Sequence, residues 1–259
     1  MSGWQIAAFT HRGRVRSSNE DAVAVAGQVM TGDMTKPIRH DITGRDCLLM
    51  IADGMGGHAQ GALASKTALD HLIADADRLS SPESCSNAIE AANERLFAVM
   101  SERLESAGMG TTLVGVVLTE RALLAFNVGD SRCYRFSGGG LLQLSHDDVA
   151  STATDSSGHR QSHAITQCLG GSPFYMPIGP HVRIDAPLAP DEAILLCSDG
   201  LSDMVQDRTI AMTLANATDV TKIVRALAAS AMQAGAADNL SIVVGRTANS
   251  FPSLTAPEI

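Results

Sequence analysis

Five short stretches set a carboxylate beside a glycine, an asparagine or a second carboxylate where an apolar run begins or ends: Glu20-Asp21, Asp53-Gly54, Gly129-Asp130, Asp199-Gly200 and Asp238-Asn239. A single Asp-Gly reads most simply as a hairpin turn. Recurrence is what argues against that reading, because six acids fall at strand boundaries while the strand interiors carry almost no charge. Carboxylates and a backbone carbonyl, with no cysteine pair or convincing histidine among them, are hard oxygen donors, which suit Mg²⁺ or Mn²⁺ rather than zinc or copper. Two such ions about 4 Å apart can hold and deprotonate a water, orient a phosphoryl group and absorb charge as its bond breaks. That chemistry suits phosphate monoester hydrolysis, which needs rate enhancements of up to ~10²¹. A guanidinium would complete it by gripping phosphate oxygens in a fork, and Arg16, just ahead of Glu20, is placed to do so.

The acids need rigid elements to carry them. Residues 47–52, Cys-Leu-Leu-Met-Ile-Ala, are too few for a helix and about right for a strand buried on both faces. They deliver Asp53, and Gly54, Gly56 and Gly57 then let the backbone turn sharply beside a ligand. Residues 193–198 repeat the design ahead of Asp199, residues 123–128 ahead of Asp130, and residues 240–244 follow Asp238. Further strands are expected at 4–9, 22–26, 111–118, 132–136, 141–144, 165–169 and 182–186. Side chains alternate along a strand, so Glu20 and Asp21 cannot both face one ion directly; one would act through water. Residues 28–46 read as an exposed loop without a role, and 145–163, rich in Ser, Thr, Asp, His and Gly, as a mobile loop.

Helices are expected at 58–77, from Leu69, Leu72, Ile73 and Ala76 at helical spacing, and from Pro82 to about 108, with Ser81 as cap. Two more are expected at 207–216 and 220–234. Strands and helix pairs in blocks, without strict alternation, favour a layered α+β fold over a doubly wound parallel sheet.

At 259 residues and 45% hydrophobic the chain can bury one large core. Its net charge of −9 argues against nucleic acid or an anionic membrane as partner. Five cysteines without a C-x-x-C pair make neither a disulfide framework nor a zinc site and suit a reducing cytoplasm. No targeting segment or membrane span is legible, so the expectation is a soluble, unprocessed protein.

Taken together, Arg16-x-x-Asn19-Glu20-Asp21, Asp53-Gly54-Met55-Gly56-Gly57, Gly110-Thr111-Thr112, Gly129-Asp130-Ser131-Arg132, Ser198-Asp199-Gly200 and Asp238-Asn239 resemble the ordered motifs of the bacterial-type metal-dependent serine/threonine protein phosphatases, the PPM or type 2C class. The resemblance spans roughly residues 5–246. It implies a four-layer α-β-β-α sandwich, two antiparallel sheets flanked by helix pairs, forming one catalytic domain over 1–246 with a short flap at about 145–163 and a loose tail at 247–259. It further implies two Mn²⁺ or Mg²⁺ ions and a third, weaker one. By position, Asp53 would bridge both ions, the Gly54 carbonyl and Glu20 would complete one, and Asp199 and Asp238 would serve the other. Asp21 would hold a metal-bound water, Asp130 with Asp199 the third ion, and Arg16 the substrate phosphate. Phosphoserine and phosphothreonine in proteins would be hydrolysed by direct attack of water, without a phosphoenzyme. The partners implied are phosphoproteins and a bacterial Ser/Thr kinase that the enzyme opposes, with the enzyme itself a cytoplasmic monomer.

Two departures stand out. Met55 occupies a position where many eukaryotic relatives carry histidine, so the leaving-group acid is left between water and His58. Asp147-Asp148-Val149 stands where the flap usually begins Asp-His-Ser, which bears on substrate choice. Arg132 reads as a structural partner of an acid rather than a phosphate contact. His159 and His163 lack a third zinc ligand. A non-catalytic phosphoprotein-binding module would be expected to have lost a metal acid, and a nuclease would need a basic groove.

Overall fold

The computed structural model describes residues 3–44, 46–57, 59–150 and 164–248. In chain order the first strands are β1 (Gly3–His11), β2 (Ala22–Val25), β3 (Gln28–Thr31), β4 (Ile38–Thr43), β5 (Cys47–Ala52) and β6 (Gly54–Met55). Helices α1 (Ala59–Ala74) and α2 (Pro82–Glu102) follow. Then come β7 (Gly110–Thr111), β8 (Leu113–Leu118), β9 (Leu123–Val128), β10 (Arg132–Ser137), β11 (Gly140–Gln143), β12 (Leu169–Gly170), β13 (His181–Asp185) and β14 (Ala193–Cys197). The chain closes with α3 (Asp199–Ser202), α4 (Asp207–Asn216), α5 (Val220–Gln233) and β15 (Leu240–Thr247).

These strands form two six-stranded antiparallel sheets, ordered β11-β10-β14-β15-β1-β4 and β13-β9-β8-β5-β2-β3, and a small third sheet, β12-β7-β6. The large sheets stack face to face, with α1 and α2 covering the outside of one and α4 and α5 the outside of the other. The four-layer sandwich expected from the sequence is therefore present. Alternation along the strands builds it. In β5, Leu49 and Ile51 face the opposite sheet, while Met50 and Ala52 face α1 and α2. In β15, Ile242 and Val244 face α4 and α5, and Val243 faces the opposite sheet. Both strands are buried on two faces, which is why they read as unbroken apolar runs. Each fully buried Leu or Ile contributes about 1.5–3 kcal/mol.

Helix α2 begins as its sequence dictates: Ser81 Oγ accepts from the Ser84 amide at 3.3 Å and Pro82 takes the first turn, where its missing N–H costs nothing. It ends at Glu102, short of the expected 108, because a 3₁₀ turn at Leu104–Ser106 takes over. Helix α1 likewise stops at Ala74.

Four expectations need correction. Residues 28–46 are not a plain loop, since β3 and β4 lie there as edge strands of different sheets. Their side chains are largely exposed and include Arg39, His40 and Asp41, as befits strands that pair on one side only. The strand expected at 111–118 is two strands with a step at Thr112: β7 joins the small sheet and β8 the large one. The strand expected at 165–169 is reduced to β12, and Ile165 makes only an isolated bridge to Val149. Asp199 opens an unforeseen helix, α3.

Thr247, placed in the tail by the sequence reading, is the last residue of β15. Residues 249–259 of that tail, and 151–163 of the expected flap, lie outside the described residues, as do His58, His159 and His163. Among the described residues no helix is long and apolar enough to cross a membrane.

Candidate active site

The strand-end acids meet at one edge of the sandwich. Glu20 and Asp21 lead into β2, Asp53 leaves β5, Asp130 follows β9, Asp199 follows β14, and Asp238 precedes β15. β2, β5 and β9 belong to one sheet, β14 and β15 to the other, so carboxylates from both converge.

Asp21 is the most deeply held, at 1% exposure. Its Oδ2 accepts from Ser241 Oγ at 2.6 Å and from Ser198 Oγ at 3.0 Å, while its Oδ1 is buried without a hydrogen-bond partner. Burial raises its pKa to about 6, opposed by the bonds from Ser241 and Ser198, reinforced by the charge of Asp238 and opposed again by a hydrogen bond with Asp53. Burial, and then the charges of Asp21, Asp199, Asp238 and Asp130, push the Asp53 carboxyl well above the usual carboxylate range. Asp199 is raised in the same way, by burial first and then by Asp130, Asp238, Asp203 and Asp21, and its Oδ1 is also buried without a partner.

Glu20 turns elsewhere. Its amide donates to Asn239 Oδ1 at 2.8 Å and its carbonyl accepts from Ser65 Oγ at 2.6 Å. Its carboxylate lies against Gly61 of α1, where an added Cβ would overlap it. Gly54 packs on the same turn of α1, and a Cβ there would overlap the Gly61 and Glu20 carbonyls. Glycine at 54 and 61 is thus what lets β6, α1 and Glu20 meet.

The backbone of Asp53 is fixed by threonines. Its amide donates to Thr112 Oγ1 at 3.2 Å, and its carbonyl accepts from Thr111 Oγ1 and the Thr112 amide, both at 2.9 Å. Thr112 Oγ1 also bonds Ser131 Oγ at 2.8 Å, tying the Asp53 turn to the Gly129–Arg132 turn. Gly129 sits at φ +96°, and a Cβ there would press on Thr112 at 2.8 Å.

Arg16 is half-exposed at the rim, and its Nη2 donates to Asp238 Oδ2 at 2.6 Å. The expected phosphate grip is therefore joined to an expected cation ligand. Arg132 is structural, as its position suggested: it forks onto Asp147 at 2.7 and 3.0 Å and donates to Tyr134 Oη at 2.8 Å. Asp148 replaces the usual flap histidine with a clamp. Its Oδ2 accepts from the Gly129 amide at 2.8 Å and its Oδ1 pairs with His181 Nε2 at 2.8 Å. Met55, half-buried in β6, has no proton to offer.

Sequence reasoning passed over Asp203, Ser198 and Ser241 as participants. Asp203 stands one helical turn beyond Asp199, a spacing that has meaning only once α3 is seen. Ser198 stood inside a quoted motif, but Ser241 lies in an apolar strand with nothing to mark it.

Among the described residues no three acidic, histidine or cysteine side chains close on one point as a formed cation cage would. The fold supplies instead a buried set of mutually repelling carboxylates, with orphaned oxygens on Asp21 and Asp199. Buried charge of one sign calls for counter-charge, and an all-oxygen donor set matches Mg²⁺ or Mn²⁺. The residues present fit such ions.

Known proteins resemble this chain in sequence and fold. Residues 33–242 match the family model described as Protein phosphatase 2C. The chain is 32% identical over 250 residues to the serine/threonine protein phosphatase PstP of Mycobacterium tuberculosis, covering 92% of this chain but only 44% of PstP, so it spans less than half the length of that relative. It is 27% identical to the serine/threonine phosphatase Stp of Listeria welshimeri, over 91% of this chain and 92% of Stp. The catalytic domain of PstP, solved in complex with two manganese ions, shares the fold at a TM-score of 0.76 and 30% identity, covering 96% of this chain and all of that one.

Proposed function

The chain belongs to the protein phosphatase 2C family, and from that premise we propose that it hydrolyses phosphoserine and phosphothreonine in proteins, using Mn²⁺ or Mg²⁺. The observation that carries the proposal is the convergence of Asp21, Asp53, Asp130 and Asp199 from two sheets onto one buried, repelling cluster with Asp238 and Arg16 paired at its rim. Glu20, Asp53, the Gly54 carbonyl, Asp199 and Asp238 would hold two ions, with Asp130 and Asp199 serving a third. Bound there, the ions supply Lewis-acid charge for the phosphoryl group and an activated water.

The protein's own groups do the rest. Asp53, fixed through Thr111 and Thr112, is the shared anchor between the sheets. Asp21, oriented by Ser198 and Ser241, would hold a metal-bound water. Arg16 presents a half-exposed guanidinium to the substrate phosphate; cations drawn to Asp238 would compete for that carboxylate and leave the fork to phosphate oxygens. Met55 in β6 cannot protonate the leaving alkoxide, which leaves that proton to water or to His58.

The same reading takes the sandwich as one catalytic domain whose substrates are made by a Ser/Thr kinase, acting as a monomer in the cytoplasm. Five free cysteines, four of them buried, support a reducing compartment.

The test is hydrolysis of a phosphothreonine peptide by purified protein. Activity should require Mn²⁺ or Mg²⁺ and vanish in Asp53→Asn and Asp199→Asn, while Arg16→Ala should raise KM. Undiminished hydrolysis in excess chelator would overturn the metal assignment, and tight peptide binding without hydrolysis would make the chain a binding module.

A further inference from the structure

The turn between β1 and β2 carries arginine at every second position: Arg12, Arg14 and Arg16. Two of the three are spent. Arg12 pairs with Asp33 at 3.3 Å, and Arg16 pairs with Asp238 at the rim of the acid cluster. Arg14 is exposed and, among the described residues, meets no acid. Val15, between it and Arg16, is 71% exposed, so the tip of the turn stands open to whatever approaches the site.

An exposed arginine is ordinarily just solvated. Arg14 differs in how firmly its backbone is braced beside the site. Its amide donates to the Ala236 carbonyl at 2.9 Å. Gly13, at φ +76°, lies so close to the carbonyls of Ala236 and Asp238 that an added Cβ would overlap both. Asn239 Nδ2 donates to the carbonyls of Arg12 at 3.2 Å and of Ser18 at 2.9 Å, one on each side of the turn. Ala236 itself is held at φ +41°, a left-handed conformation that costs a non-glycine residue about 1–2 kcal/mol. The turn is thus fixed to the segment that carries Asp238, and the Cα atoms of Arg14 and Arg16 stand at most about 7 Å apart. An extended peptide advances about 3.3 Å per residue, so a side chain two positions from the phosphorylated one spans that separation. The acids bonded to this turn, Asp33 and Asp238, are already matched by Arg12 and Arg16, which leaves Arg14 to an anion brought from outside.

Resting on the phosphatase reading above, we propose that Arg14 is a specificity residue: it donates to the carboxylate of an Asp or Glu flanking the phosphorylated residue and so favours acidic phosphopeptides as substrates. The test is an amide NMR titration of Mg²⁺-loaded protein with peptides carrying the non-hydrolysable phosphonate analogue of phosphothreonine. A single Asp, Ala or Lys is placed in turn at each of the three positions on either side, and hydrolysis of the matching phosphothreonine peptides is followed in parallel. At one or more positions Asp should lower Kd and KM about threefold to tenfold relative to Ala, with shifts at the Arg14 and Val15 amides. That ratio should fall to about one in Arg14→Ala, survive in Arg14→Lys and turn in favour of Lys in Arg14→Glu. It should also shrink at about 1 M salt, as an exposed ion pair must. No Asp preference, or one that Arg14→Ala and Arg14→Glu leave intact, would overturn the proposal while hydrolysis of the peptides upheld the phosphatase reading. An Arg14-dependent preference in binding without hydrolysis would do the reverse, and no saturable binding of any peptide up to about 10 mM would overturn both.

Discussion

Asp21 is a carboxyl that the fold has dried and then only partly compensated. Two serine hydroxyls reach one of its oxygens and a hydrogen bond with Asp53 adds to them, but together they do not offset the loss of solvent. Burial therefore wins, with the pKa raised to about 6, and Asp53 and Asp199 move the same way. An acid whose folded pKa stands above its unfolded value binds its proton more tightly when folded. Its contribution is fully present below the unfolded pKa and is lost as pH rises through the folded one. For the chelated protein we expect these three groups to lower the melting temperature as pH climbs above about 4, with the Asp21 share of the fall complete once pH has passed through about 6. Asp21→Asn, which cannot ionise, should flatten that fall. An identical slope in the variant would show that Asp21 is already charged in the metal-free fold.

The elements explain how such acids can be held at all, and α1 against β6 is the tightest of the junctions. Gly61 on α1 and Gly54 on β6 remove the two Cβ atoms that would separate the Asp53 turn from Glu20. Gly61→Ala should gain up to about 1 kcal/mol in helix propensity. It should also displace the Glu20 carboxylate and press on the Gly54 backbone. We expect the Mn²⁺ concentration for half-maximal hydrolysis to rise severalfold while the metal-free melting temperature changes little, and unchanged Mn²⁺ dependence would remove Glu20 from the ligand set. Contacts like this one were not legible in the sequence. β5, β9, β14 and α2 were, because strands buried on two faces and a capped helix write their period and ends into the chain. β3 and β4 were hidden, being edge strands whose exposed faces carry ordinary polar residues. α3 is too short to have a period, and with it went Asp203. The acids themselves could be picked out singly, by glycine or asparagine beside them, but their grouping depends on strand order, which no local pattern records.

At the scale of the whole molecule the cluster is a seam between sheets. Asp21 and Asp53 belong to one large sheet, and Asp199 and Asp238 to the other, in which β15 pairs with β1 from the far end of the sequence. Without cations the seam is a band of like charge that works against the apolar core between the sheets. A divalent ion held from both sides reverses the sign of that contribution, because it binds the assembled sandwich and not the unfolded chain. The linkage is worth about 2.7 kcal/mol when free ion exceeds its Kd a hundredfold. We therefore expect Mn²⁺ to raise the melting temperature in proportion to the logarithm of its concentration, and Asp199→Asn to lose most of that gain because one sheet's grip is gone. The rise should also be larger at pH 8 than at pH 6, since protons compete for the same oxygens. Ions adsorbed to the acidic surface would stabilise the variant as much as the parent. Equal shifts in both would place the Mn²⁺ away from this seam, whatever the enzyme's activity.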